Sequence, residues 1–377
     1  MGLLRLLLAA LVVFVHAGPL PGFPTMGGSL AVQTFYMISG FYMALILNEK
    51  YVAQPHAYRL FLTNRILRLL PIYYVVLSLT LLTAILMSLT LGYPELESFK
   101  ALRDNYDRMA PTTLAFLTFS NLTLIGQDWL SFLTIDPTAG TLQFASDFSR
   151  APVNLNSFLL IQPAWTVSLE LTFYVVAPLL VRRRSWVVAG IMLLSIAIRW
   201  GLRHYIHLDS MAWSYRFFPS ELLYFLSGAL AYKAYRQLKA KRLPNWLCPL
   251  AIGLTLIYTC FFGIIHQELT QLGMSGGVAS ALYRLTIFFS LPFVFLYTSH
   301  SRLDGKIGEL SYPLYISHFL VSEILAAWHV GGEYINLYTL VVSLGLAYAL
   351  NRLIGERVER VRQRVFERNT LVRPSLA

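Results

Sequence analysis

A chain of 377 residues that is 56% hydrophobic and 13% charged is no water-soluble globule, since soluble domains carry about 25% charged residues and could not hide so much apolar surface. The formal net charge of +11 would suggest nucleic acid as a partner of a soluble protein, but membrane proteins collect Lys and Arg on the cytoplasmic side, which argues for the lipid bilayer and no nucleic acid. Cys248 and Cys260 are the two cysteines, and neither they nor the scattered histidines have the spacing of a disulfide framework or a metal site.

Apolar runs long enough to span recur along the chain and predict an all-α, polytopic membrane bundle of about ten helices. The expected spans are 3–20, 29–48, 69–92, 163–181, 186–200, 217–235, 246–265, 281–299, 310–328 and 336–354. Ionisable side chains inside such spans cost about 2.5–3.5 kcal/mol each on insertion scales and are functional candidates by default.

The first run holds Arg5 and His16. With one basic residue ahead of the apolar core, a retained span is expected rather than a cleaved leader. His16 is either hydrogen-bonded to a neighbouring helix or a general base or transient nucleophile. In the second run Ser39-Gly40 serves close helix packing or lines a site. Arg65 and Arg68 share one helix face at i,i+3, with Pro71 expected in the first turn of the third span. They are either positive-inside anchors or a clamp for phosphate.

The stretch 93–162 is the longest that does not span. Tyr93-Pro94, Asp136-Pro137 and Ala151-Pro152 mark it as loop, and loops of this length often carry function. Within it, 112–125 is expected to be re-entrant or interfacial. The next span carries Trp165, Glu170 and Tyr174, the last two one turn apart. A carboxylate there needs a partner, whether a structural ion pair or a site. Arg216 and Glu221 open a later span and could pair with each other or with Glu170. In 310–328, Ser311, Tyr315, His318 and Ser322 form one polar stripe, which must face a protein interior or a watery cavity.

Orientation follows the basic residues. With both termini cytoplasmic, the inner loops and helix ends hold 22 of the 30 Lys and Arg, the distribution expected of cytoplasmic loops. The chain then divides into a membrane domain, 1–355, with external loop 93–162, and a short basic tail, 356–377, lying at the membrane surface.

In this order the segments resemble acyltransferase family 3, membrane proteins that acylate carbohydrates and other cell-surface acceptors. The similarity runs over Arg5 to His16, the aromatic-rich Phe35–Phe41 with Ser39-Gly40, and Arg65-x-x-Arg68 with Pro71 and Tyr73. It continues through Trp165 to Pro178, with Glu170 and Tyr174, and Ser311-Tyr312-x-x-Tyr315-x-x-His318. Two departures stand out: the Trp165-to-Glu170 spacing is one residue longer than the usual form, and Glu356-Arg-Val358 replaces a Glu-x-Pro ending.

The resemblance implies a stand-alone multi-pass enzyme of the bacterial inner membrane with no tightly bound cofactor. Its donor would be acyl-CoA, most often acetyl-CoA, and its acceptor a carbohydrate hydroxyl. His16, Glu170 and Tyr174 would be catalytic and Arg65 and Arg68 would bind the donor. Ser39, Trp165, Tyr315 and His318 would line the site. A rival reading, an exporter of polysaccharide or lipid-linked sugar, expects two related halves with broken helices, and the sequence has no such internal symmetry.

Overall fold

The computed structural model describes residues 1–20, 22–52 and 56–371. Positions 372–377 of the expected tail and 53–55 of the expected first inner loop lie outside the described residues. In chain order the helices are α1 (Gly2–Ala17), α2 (Gly28–Glu49), α3 (Ala57–Leu91), α4 (Glu97–Asn105), α5 (Pro111–Thr123), α6 (Trp165–Leu180), α7 (Ser185–His204) and α8 (Phe218–Leu238). They continue as α9 (Leu247–Cys260), α10 (Phe262–Gln271), α11 (Gly276–Thr298), α12 (Arg302–Glu309), α13 (Ser311–Ala327), α14 (Ile335–Leu350) and α15 (Glu356–Leu371). The sole departure from helix among the described elements is a short hairpin, β1 (Leu133–Ile135) with β2 (Leu142–Phe144), paired antiparallel.

A helix occupies each of the ten apolar runs. Six helices are long and apolar enough to cross a membrane, and the α9–α10 pair, bent by 73° at Phe261, makes a seventh if it is one span. Helix α1, with 16 residues, is shorter. The outer surface is apolar: Leu82, Ile85 and Leu89 on α3, Leu193 and Leu194 on α7 and Val341 on α14 are all exposed. Facing lipid, these side chains meet their preferred solvent, while the helices satisfy their own backbone hydrogen bonds.

One expectation changes in detail. Helix α3 begins at Ala57 and has 35 residues, so Pro71 lies inside it and not in its first turn. Proline forgoes one backbone bond there, and the packing of Leu69, Ile72 and Tyr73 into the core holds the helix continuous. Helix α5 has 13 residues, about 20 Å of rise against a hydrocarbon core of about 30 Å, so it is too short to cross. Asn121 ties it inward: its side chain donates to the Phe158 carbonyl at 3.1 Å and accepts from the Leu160 N–H at 2.8 Å. Its backbone carbonyl accepts from the Tyr73 hydroxyl.

Two local devices position the site. Helices α2 and α8 cross at glycine: a Cβ on Gly40 would stand 1.8 Å from the Phe225 carbonyl oxygen, and one on Gly228 1.8 Å from that of Met37. Of the small residues at 39–40, Gly40 therefore serves close helix packing. The start of α1 is held by α12, where the Asp304 carboxylate accepts from the backbone N–H of Gly2 at 2.7 Å and of Leu3 at 2.9 Å. Burial pushes the Asp304 carboxyl up, but the chain-terminal ammonium and these two N–H groups outweigh it and hold it below its ordinary value.

Candidate functional site

A narrow cavity of about 100 Å³ opens between α1, α2, α3, α6 and α13, with polar side chains set in a largely apolar wall. Six of the nine residues that the resemblance assigns to the site line it: Ser39, Arg65, Arg68, Glu170, Tyr174 and Tyr315. Arg5 and Tyr312 join them.

Glu170 is the acceptor at the centre. The Ser39 and Tyr174 hydroxyls both donate to its Oε1, each at 2.5 Å. Helical geometry supplies the second bond, since Tyr174 is one turn from Glu170. The crossing of α2 at Gly40 sets Ser39 deep in the bundle. Helix α6 is fixed near its start by the Ser168 hydroxyl, which donates to the Asp128 carboxylate at 2.7 Å. Burial pushes the Asp128 carboxyl up, opposed by the Ser168 and backbone bonds. Arg65 is 6% exposed and its Nε has no hydrogen-bond partner among the described residues.

The stripe on α13 continues the polar path. The Tyr315 and Thr166 hydroxyls are 3.0 Å apart, and the Tyr315 ring meets Phe35 edge-on. His318 is fully buried, and its Nδ1 lies 2.8 Å from the Tyr315 carbonyl oxygen. A carbonyl only accepts, so Nδ1 carries the proton and Nε2 presents its lone pair. That Nε2 is without a hydrogen-bond partner among the described residues. Beside it stands His16, with the two imidazole centroids 5.2 Å apart, near the end of α1 where His16 is exposed. His16, His318 and Trp165 thus lie outside the cavity lining, and His318 joins it through Tyr315.

Trp165 belongs to a cluster at the same end. The Arg216 guanidinium lies 4.3 Å from the Trp165 ring centroid and 4.8 Å from that of Phe148, as cation–π contacts. It donates to Asn156 Oδ1 at 2.5 Å and to Ser131 Oγ at 3.1 Å. The expected pairing of Arg216 with Glu221 or Glu170 does not form. Phe217 is extended between them, with φ −84° and ψ 114°, and turns residue 216 off the helix that carries Glu221. Glu221 instead accepts from Gln33 Nε2 at 2.9 Å and lies 3.7 Å from Arg199. Glu170 is partnered by hydroxyls.

At the opposite end, below the cavity, lies a second one lined by α15 and by Arg5, Arg68 and Tyr312. These three residues line both spaces. In the sequence Arg5 stands in the first apolar run and Tyr312 beside the polar stripe. The available signal was an Arg five residues into an apolar helix; its convergence with Arg68 is a matter of helix packing.

A multi-pass helical membrane protein with a polar site enclosed among its helices is the class these features define. The family described as "Acyltransferase domain", acyltransferase family 3, matches residues 1–351. The chain belongs to that family and is a membrane acyltransferase. No match is found among curated proteins or among solved structures.

Proposed function

We propose that the protein transfers an acyl group, acetyl in the first instance, from cytoplasmic acyl-CoA to a hydroxyl of a cell-surface or exported carbohydrate. In this reading the chain crosses the bacterial inner membrane ten times with both termini cytoplasmic. Residues 1–355 form the catalytic unit, and 93–162 face outward.

One observation carries the reading: the cavity runs from an arginine-lined mouth to Tyr315, whose carbonyl oxygen holds His318 beside His16. Arg5 and Arg68 stand at the mouth, Glu170 and Tyr315 further in, and His318 and His16 at the far end. Arg5 and His16 lie on one helix, and eleven residues of rise separate them by about 16 Å. An extended pantetheine arm covers such a distance, which reconciles a cytoplasmic donor with chemistry near the opposite face.

Arg65 and Arg68 would bind the donor's phosphates with the fork geometry that suits guanidinium. His16 would take the proton of the acceptor hydroxyl as its oxygen attacks the thioester carbonyl. The C–S bond then breaks, and the thiolate leaves with the proton returned by His16. General-base help of this kind is worth about 10²–10⁴-fold in rate. Glu170 and Tyr174 hold the cavity's polar groups in register, while Ser39, Trp165, Tyr315 and His318 line the way to His16.

The test is acyl transfer from radiolabelled acetyl-CoA to surface glycan in membranes with and without the protein. Label in the glycan that disappears with His16→Ala at equal protein level supports the reading. Full transfer by His16→Ala would remove the catalytic role.

A further inference from the structure

Helix α15 begins at Glu356, beyond the residues 1–351 that the family covers. It nonetheless walls the lower cavity: Arg360, Arg362 and Gln363 line it together with Arg5, Arg68 and Tyr312 of the bundle. Those last three also line the upper cavity, so a molecule reaching Glu170 from this side passes α15 first.

The helix is held here against α3 and against the end of α2. Arg362 Nε donates to the Asn64 carbonyl at 3.1 Å, and the Lys50 ammonium lies 4.2 Å from the Phe366 ring centroid. Arg362 is 12% exposed and its Nη1 is paired with Glu359, which is 45% exposed. Glu359 is the exposed partner of this pair, so it can swing toward water when a phosphate takes its place at Arg362. Arg362 would then offer its outer guanidinium nitrogens to a ligand while Nε keeps the bond to Asn64.

We propose, resting on the acyl-CoA reading above, that Arg362 and Arg360 of α15 bind the 3′-phosphate end of the donor. Coenzyme A is a linear molecule with its thioester at one end and its phosphorylated ribose at the other. With the thioester in the upper cavity, the ribose phosphate stays at the mouth, where α15 supplies guanidinium groups. Arg5 and Arg68 lie deeper and meet the pyrophosphate.

The experiment measures binding of CoA and of 3′-dephospho-CoA to the full-length protein in detergent. The wild type should bind CoA about ten-fold more tightly than the dephospho form, the scale of one charge-assisted contact. Arg362→Ala should lose that preference and bind dephospho-CoA as the wild type does. Arg362→Lys should keep part of it. Arg360→Ala is the second variant, because the hydrogen bond of Arg360 stays within its own helix, to Glu356, so its loss leaves the docking of α15 intact. Unchanged preference in both alanine variants, or no preference in the wild type, overturns the assignment to α15 alone. A wild type that binds neither molecule overturns the acyl-CoA reading and this assignment with it.

Discussion

The imidazoles of His16 and His318 stand 5.2 Å apart, centroid to centroid, and the bond from His318 Nδ1 to the Tyr315 carbonyl leaves the His318 Nε2 lone pair free. The two rings differ in setting, since His318 is fully buried and His16 is exposed. In the proposed mechanism the exposed ring is the one that the acceptor hydroxyl meets. His16→Ala should lower acyl transfer at least about 100-fold, and His318→Ala less. The double variant should fall no further than His16→Ala, because residues acting as one unit are not additive. Initial rates in membranes at matched protein level check this.

Arg68 and Arg5 serve both cavities, so removing either should weaken capture of the donor before it affects the chemistry. Arg68→Ala and Arg5→Ala should raise KM for acetyl-CoA about ten-fold or more and leave KM for the acceptor unchanged. A fall confined to kcat would place the two arginines in the reaction itself.

Glu170 takes two hydrogen bonds on one oxygen, from Ser39 and Tyr174. Glu170→Ala leaves two hydroxyls without an acceptor, at about 1–3 kcal/mol for each buried group, and should lower the melting temperature in detergent. Glu170→Gln retains the accepting oxygen and should melt close to the wild type. Loss of activity in the Gln variant would then report the charge, separately from folding.

At the α2–α8 crossing there is no room for a methyl group, because the neighbouring atoms are backbone carbonyls. Gly40→Ala and Gly228→Ala should destabilise by about 1–3 kcal/mol or more through overpacking. Gly190→Ala on α7, where a Cβ meets open space, should not. Thermal unfolding of the three variants distinguishes a tight crossing from a general intolerance of helix substitution.

Asp304 has a depressed carboxyl because it anchors the start of α1. A depressed folded pKa means that the anchoring is fully present above the unfolded carboxylate value of about 3.9. It is lost as pH falls through the lower, folded value. Asp304→Asn should therefore melt below the wild type at neutral pH, and the gap should close on acidification below about pH 4. A gap that stays constant with pH would mean that the carboxylate charge is not what holds α1.

Much of the candidate site was legible because lipid makes polar residues conspicuous. His16, Glu170 and Tyr174 stand out as groups that an apolar run does not tolerate without cause, and the 4-3-4 stripe on α13 indicated an inward face. What sequence could not give is which stripe meets which. Arg5 and Arg68 come together only because α1 and α3 both pack against α13. Arg216 was misjudged because one extended residue, Phe217, separates it from the helix whose pattern it seemed to join. The partners of Glu221, namely Gln33 and Arg199, come from helices distant in sequence. The wall formed by α15 depends on a π-helical turn at Asn351–Gly355 that carries the chain onward from α14, and hydrophobic periodicity does not register such a turn.

A water-filled passage inside a bilayer is also a potential leak, and the voltage across the membrane would drive protons and metal cations through any gap. The narrows shared by the two cavities carry Arg5 and Arg68, with Arg65 just above. Fixed guanidinium charge repels hydronium and sodium ions while it attracts polyanions. Neutralising Arg5 and Arg68 together is therefore expected to make the membrane more permeable to cations, even where acyl transfer had already been abolished.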